Sequence, residues 1–172
     1  GVRVAEVEGF LVCQERNGDW IEDSKGDPPF HVRGATKIYR RACWEGIGGL
    51  LKAPGWDTLD ELKANKLGFK TYTFRDIKIL QLKSTGNADG TWRNWVKNGR
   101  ANYITGYHPA FMLAKCLKRT VQKPYGVAAL ALLSGFVGGY LRGLPQVQDA
   151  SLVRYVREQQ LNRLLGRPSL WS

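Results

Sequence analysis

Three carboxylates, Asp57, Asp60 and Glu61, fall within little more than one helical turn in the stretch Gly55-Trp56-Asp57-Thr58-Leu59-Asp60-Glu61-Leu62. Pro54 and Gly55 end whatever precedes them. A short amphipathic helix is predicted from about Thr58 to Leu67, with Leu59, Leu62 and Leu67 inward and Gly68 as its stop. Asp57 then stands at or just before the first helical position, where unpaired peptide N–H groups favour an ionised carboxylate. Asp60 and Glu61, three and four residues on, share its face. Such a group can cap the helix, or one member can take a proton from a substrate. Thr58 and Glu61 have the spacing of a capping box. That pairing would do the capping and leave Asp57, one residue outside it, free for chemistry.

The surrounding elements must position that helix. Residues 2–15 read as one or two strands, Asn17-Gly18 as a hairpin turn, and Trp20-Ile21 as the start of the return strand. A polar loop covers residues 22–30. Then Gly34-Ala35 forms a small-residue element before the β-prone run Thr36-Lys37-Ile38-Tyr39, and Arg40-Arg41 lead into a helix over about 41–47, closed by Gly48-Gly49. The two arginines suit either a solvated helix start or a phosphate or sugar clamp. Lys70–Leu82 is strand-like and exits through a Gly-rich loop ending at Gly90. Strand, helix, strand is an α/β signature. From Thr91 the pattern is helical, over about 91–103, 107–121, 125–141 and 149–166.

Charge and composition narrow the partners. Residues 1–114 hold 17 Lys/Arg against 13 Asp/Glu, and residues 115–172 hold 9 against 2. The basic part also contains the long apolar run Tyr125–Leu141, flanked by Lys118, Arg119, Lys123 and Arg142. Basic and apolar together suit an anionic membrane surface or a phosphate-bearing ligand at least as well as nucleic acid. The run spans 17 residues with four glycines, so it reads as a buried or interfacial helix rather than a span. Cys13, Cys43 and Cys116 are odd in number and far apart, which argues against a disulfide framework or zinc site and fits a reducing compartment. His31 and His108 are isolated and read as structural, and no metal site is expected from these residues. His108 precedes Pro109 and should be extended at a helix start.

In order, Gly-Ala-Thr-Lys-x-Tyr-Arg-Arg at 34–41, Ile-Gly-Gly at 47–49, Gly-Trp-Asp-Thr-Leu-Asp-Glu at 55–61 and Leu-Gly-Phe at 67–69 resemble the second half of family 2 glycosyltransferases, inverting enzymes of the GT-A fold. In that family a Gly-Glu-Asp-x-Asp-Leu stretch starts a helix closed about eleven residues later by Ala-Gly-Tyr. Gly55 and Asp57 fall on its Gly and Asp, with Trp56 in place of Glu and Leu59 in place of the second Asp. The resemblance implies that Asp57 is the catalytic base, with Gly34, Ala35 and Trp56 at the substrate. Gln160-Leu161-Asn162-Arg163-Leu164 is similar to the Gln-x-x-Arg-Trp signature of processive members, with Leu164 for Trp. By that analogy Arg163 holds the pyrophosphate, for which a guanidinium fork is suited, and Gln160 lies near the acceptor.

The family's metal-binding Asp-x-Asp and its Gly-rich nucleotide half are not among these residues. The chain starts without Met in a strand-like alternation, so they are expected upstream. A divalent cation, Mg or Mn, is implied by the resemblance, with ligands outside this chain. The implied partition is residues 1–90 as the acceptor-side half of a GT-A domain and 91–172 as a helical extension. The implied function is sugar transfer from a nucleotide-diphosphate sugar to a polysaccharide or lipid-linked hydroxyl acceptor, at the cytoplasmic face of a membrane to which the protein is peripheral or integral. No nucleic acid partner is expected. The alternative is a non-catalytic basic module that binds a membrane surface or nucleic acid; it leaves Gly55–Phe69 unexplained.

Overall fold

A computed structural model describes residues 6–16, 19–22, 27–28, 30–52, 54–82 and 90–172. The chain divides into two compact units, one of residues 1–52, 56–84 and 170–172 and the other of residues 53–55 and 85–169.

The first unit is mixed α/β. Its centre is β1 (Val7–Arg16), in which Val7, Leu11, Val12 and Cys13 are buried. On one edge β1 pairs antiparallel with β2 (Asp19–Glu22) and with the two-residue β3 (Ile38–Tyr39). Arg16 opposite Asp19 is the register of a two-residue hairpin; Asn17 and Gly18 themselves lie outside the described residues. On the other edge β4 (Thr71–Leu80) runs parallel to β1, with a register shift after Phe10. A parallel partner requires a crossover. It contains α1 (Arg41–Ile47) and α2 (Trp56–Lys66), which pack on β1 through Val7, Cys43, Ile47 and Ala64. Gly48, at φ 71°, closes α1 in the left-handed region. Lys63 Nζ donates to the carbonyl of Ile47, at the end of α1, at 2.6 Å. Leu59 and Leu62 are inward as expected, but Leu67 is half exposed. The helix ends at Lys66, and Phe69 takes the inward place against the same cluster. The Gly-rich loop expected after β4 falls largely outside the described residues.

The second unit is helical: α3 (Thr91–Ile104), α4 (Pro109–Thr120), α5 (Val127–Leu141) and α6 (Ala150–Leu164). His108 is extended (φ −69°, ψ 132°), caps α4 through Nδ1 accepting from Ala110 N, and hands over to Pro109 in the first turn. Asp149 caps α6 by accepting from Leu152 N at 2.9 Å. The helices α3 and α5 touch backbone to backbone. A Cβ on Gly99 would lie 2.0 Å from Leu132 O, and one on Gly135 would lie 2.1 Å from Val96 O. Beside that crossing Tyr103 packs edge-on against Tyr140 at 4.6 Å, and its hydroxyl donates to Leu144 O. Because the obstacle is main chain rather than a movable side-chain tip, Gly135→Ala is expected to lower stability by about 1–3 kcal/mol. Urea unfolding measures it, and an unchanged midpoint would show that the helices part without penalty. At 1.5 Å per residue α5 is ~22 Å long, short of a ~30 Å hydrocarbon core. Among the described residues no helix is long and apolar enough to cross a membrane.

Candidate active site at the start of α2

Strand alternation places the residues that hold α2. Lys37 and Tyr39 flank Ile38, so with a period of two they point to the opposite side from it. Ile38 is half exposed, whereas the Lys37 side chain is only 2% exposed. The preceding segment is tied to the sheet at both ends. Thr71 Oγ1 donates to Phe30 O at 2.7 Å and Thr73 Oγ1 to His31 O at 3.1 Å, both from β4. Thr36, in the 3-10 turn Gly34–Thr36, accepts from Phe10 N of β1 through Oγ1 at 3.2 Å.

These ties bring a buried lysine onto the first turns of α2. Lys37 Nζ lies 3.1 Å from Asp60 Oδ1 and 2.8 Å from Glu61 Oε1, and it also donates to the backbone carbonyl of Asp57. The Tyr39 hydroxyl donates to Asp60. Glu61 accepts from Val32 N at 2.8 Å and meets His31 Nδ1 at 3.0 Å. Asp60 and Glu61 are thus fully buried with their oxygens engaged. The capping-box expectation fails here. The helix starts at Trp56, so Thr58 is already inside it, and the Glu61 side chain goes to the 31–32 segment rather than back to the helix start.

Asp57 differs from its two neighbours. It is half-buried in the first turn, and among the described residues no group makes a hydrogen bond or salt bridge to its carboxylate. Its main chain is gripped by Lys37, while its carboxylate acts on the cluster only through its charge at His31. The 3-10 turn lies against it: a Cβ on Gly34 would meet Trp56 Cη2 at 3.3 Å and Asp57 Cβ at 3.6 Å. Ala35 is exposed on the same turn. Trp56 is 36% exposed, with Lys37 Nζ 5.7 Å from its ring centroid. Gly34, Trp56 and Asp57 are therefore brought together, and Lys37 is the residue that sequence reasoning missed. The signal available was its alternation with Tyr39 around an apolar Ile38.

Burial pushes the Asp60 and Glu61 carboxyls above the usual carboxylate range, against the opposing pull of Lys37 and of their hydrogen bonds. For His31, burial acts downward but is outweighed by the Glu61 hydrogen bond and by the charges of Glu61, Asp27 and Asp57, so its pKa is raised above 6.5. A protonated His31 gives the cluster two cations against two carboxylates. A raised folded pKa means that the His31 contribution to stability is complete below pH 6.5 and is lost as pH rises through the folded value. The stability difference between the parent chain and His31→Gln is therefore expected to shrink over that window. Urea unfolding across pH, with an NMR titration of His31, checks it; a difference that stays constant would remove the charged pairing.

In the second unit Gln160 and Arg163, three residues apart on α6, lie in different surroundings. Gln160 is fully buried and its Oε1 accepts from His108 N at 2.8 Å, fixing the start of α4. Its Nε2 has no partner among the described residues. Arg163 is exposed in the last turn of α6. Arg119, one of the four cations that flank the apolar run, stacks on Trp95 at 4.0 Å and donates to Gln122. Cys13, Cys43 and Cys116 are buried free thiols. Burial, with the charges of Glu6 and Asp60, pushes the Cys43 thiol up to about 11, which is unsuited to a thiolate nucleophile. Among the described residues no three His, Cys, Asp or Glu side chains are grouped to hold a metal ion. Asp60 and Glu61 already share the ammonium of Lys37, so a divalent cation does not fit them. No protein-family model, curated protein or solved structure was found that matches this chain.

Proposed function

We propose that this chain is the acceptor-side part of an inverting, nucleotide-sugar-dependent glycosyltransferase of the GT-A type, with Asp57 as its catalytic base. The observation that carries it is the contrast within one helical turn. Asp60 and Glu61 are consumed by Lys37, Tyr39 and His31, whereas Asp57 is fixed through its carbonyl and keeps an open carboxylate. A base needs a fixed orientation and hydrogen-bond reach to the proton it removes, and a helix start favours its anionic form.

In the step, an acceptor hydroxyl oxygen bonds to the anomeric carbon from the face opposite the leaving group. The bond from that carbon to the diphosphate oxygen breaks, and its electron pair departs with the nucleoside diphosphate. The hydroxyl proton passes to Asp57. The exposed Trp56 ring beside Asp57 offers an apolar face of the kind that stacks on a sugar, and Gly34 and Ala35 border it without bulk. Gln160 serves indirectly at most, by holding the start of α4. The divalent cation of the family would supply charge neutralisation at the diphosphate from ligands outside this chain. Nucleoside diphosphate release from a panel of nucleotide-sugars, with polysaccharide and lipid-linked acceptors, tests the assignment in the full-length protein. Release that is lost in Asp57→Asn supports it, and release that survives removes it.

A further inference from the structure

Two helices of the second unit leave aliphatic stripes uncovered. On α5, Val127, Leu130, Ser134, Val137 and Leu141 follow at steps of three and four, the spacing of one helix face. All five are exposed, Leu130 by 62% and Leu141 by 83%. On α4, Leu113 and Leu117 repeat the pattern, and exposed Val121 and Tyr125 continue it through the connection to α5. Single exposed leucines are ordinary; a run of this kind marks an interaction surface. The charge around it is one-sided. Residues 90–148 contain eight Lys/Arg and no Asp/Glu. Of these, Lys118, Lys123 and Arg142 are exposed at the ends of the two stripes, whereas Arg119 is held on Trp95.

We propose that this face seats the protein on an anionic lipid bilayer. On this proposal α5 lies in the plane of the interface, its stripe enters the acyl boundary, and Lys118, Lys123 and Arg142 meet the lipid phosphates. The helix is too short to cross, and an aliphatic face with cations at its borders is the pattern of an interfacial helix. A two-fold dimer through the same face would bring its like-charged borders toward each other. Single-stranded nucleic acid stacks on successive aromatic platforms, whereas the face is mostly aliphatic, with Tyr125 at its border and Tyr140 beside Leu141. The proposal stands on the second unit alone and does not depend on sugar transfer.

The test is flotation of the full chain with vesicles of phosphatidylcholine alone or mixed with phosphatidylglycerol. Binding to the anionic vesicles is expected to be at least roughly tenfold stronger and to weaken with salt. Leu130→Ser with Leu141→Ser, both at exposed positions, should lower it by about tenfold with an unchanged melting temperature. Lys118→Glu with Lys123→Glu should erase the preference for the anionic lipid. Failure of the parent chain to float, or flotation of the serine variant like the parent, overturns the proposal. So does a dimer that the serine substitutions dissociate without any flotation, which would give the stripe to a second copy. Retention of a single-stranded oligonucleotide, lost in the glutamate variant and again without flotation, would give the cations to nucleic acid and equally overturn it.

Discussion

Lys37→Met is expected to destabilise the first unit by about 3–5 kcal/mol, the cost of leaving buried carboxylates without their cation. The Lys37 side chain is 2% exposed, and its ammonium lies 3.1 Å from Asp60 and 2.8 Å from Glu61. Water cannot replace it without opening the 31–39 segment. Methionine keeps the unbranched stem of lysine up to the position of Cε, so packing changes little and the charged ammonium is what is removed. Neutralising the carboxylates as well, in Lys37→Met with Asp60→Asn and Glu61→Gln, should return part of the loss, because the uncompensated charge then disappears. Urea unfolding reads both variants. A loss below about 1 kcal/mol for Lys37→Met, the range of an exposed pair, would refute a buried cluster.

Asp57→Asn should behave in the opposite way. Its carboxylate has no hydrogen-bond or salt-bridge partner among the described residues, so the unfolding midpoint should stay close to that of the parent. On the proposed function, transfer should in contrast fall by about 10²–10⁴-fold, the usual contribution of a positioned base, with nucleotide affinity retained. An amide keeps the shape and cannot accept the proton. Near-normal turnover would disprove the base assignment. A large loss of stability would show instead that Asp57 belongs to the structural cluster with Asp60 and Glu61.

The two variants separate what one helical turn contains, and local sequence alone could not make that separation. Periodicity did locate the helices. Apolar spacing predicted helices over 41–47 and about 58–67, against Arg41–Ile47 and Trp56–Lys66 in the structure. The predicted run 125–141 became Val127–Leu141, and His108 stands extended before Pro109 as its neighbour dictates. These features are local, set by side-chain spacing, by Gly and Pro, and by alternation along a strand. Leu67 fails for the same reason it was chosen. It fits the helical spacing, but the chain leaves the helix at Lys66 and Phe69 reaches the core instead.

The roles of the polar residues were decided elsewhere. Spacing put Asp57, Asp60 and Glu61 near one another and offered Thr58 and Glu61 as a cap. It carried no information about what comes from twenty or thirty residues away to meet them. Lys37 in a β-prone run is indistinguishable from a solvated lysine until β3 pairs with β1 and turns it inward. Gln160 and Arg163 share a helix at ligand-compatible spacing, yet His108 takes the first and solvent the second. By itself the sequence determined that a helix begins within two residues of Trp56 and which three carboxylates crowd its start. The tertiary structure decided which of them is open, because the two that face a buried lysine are held by charge and hydrogen bonding in a place water does not reach.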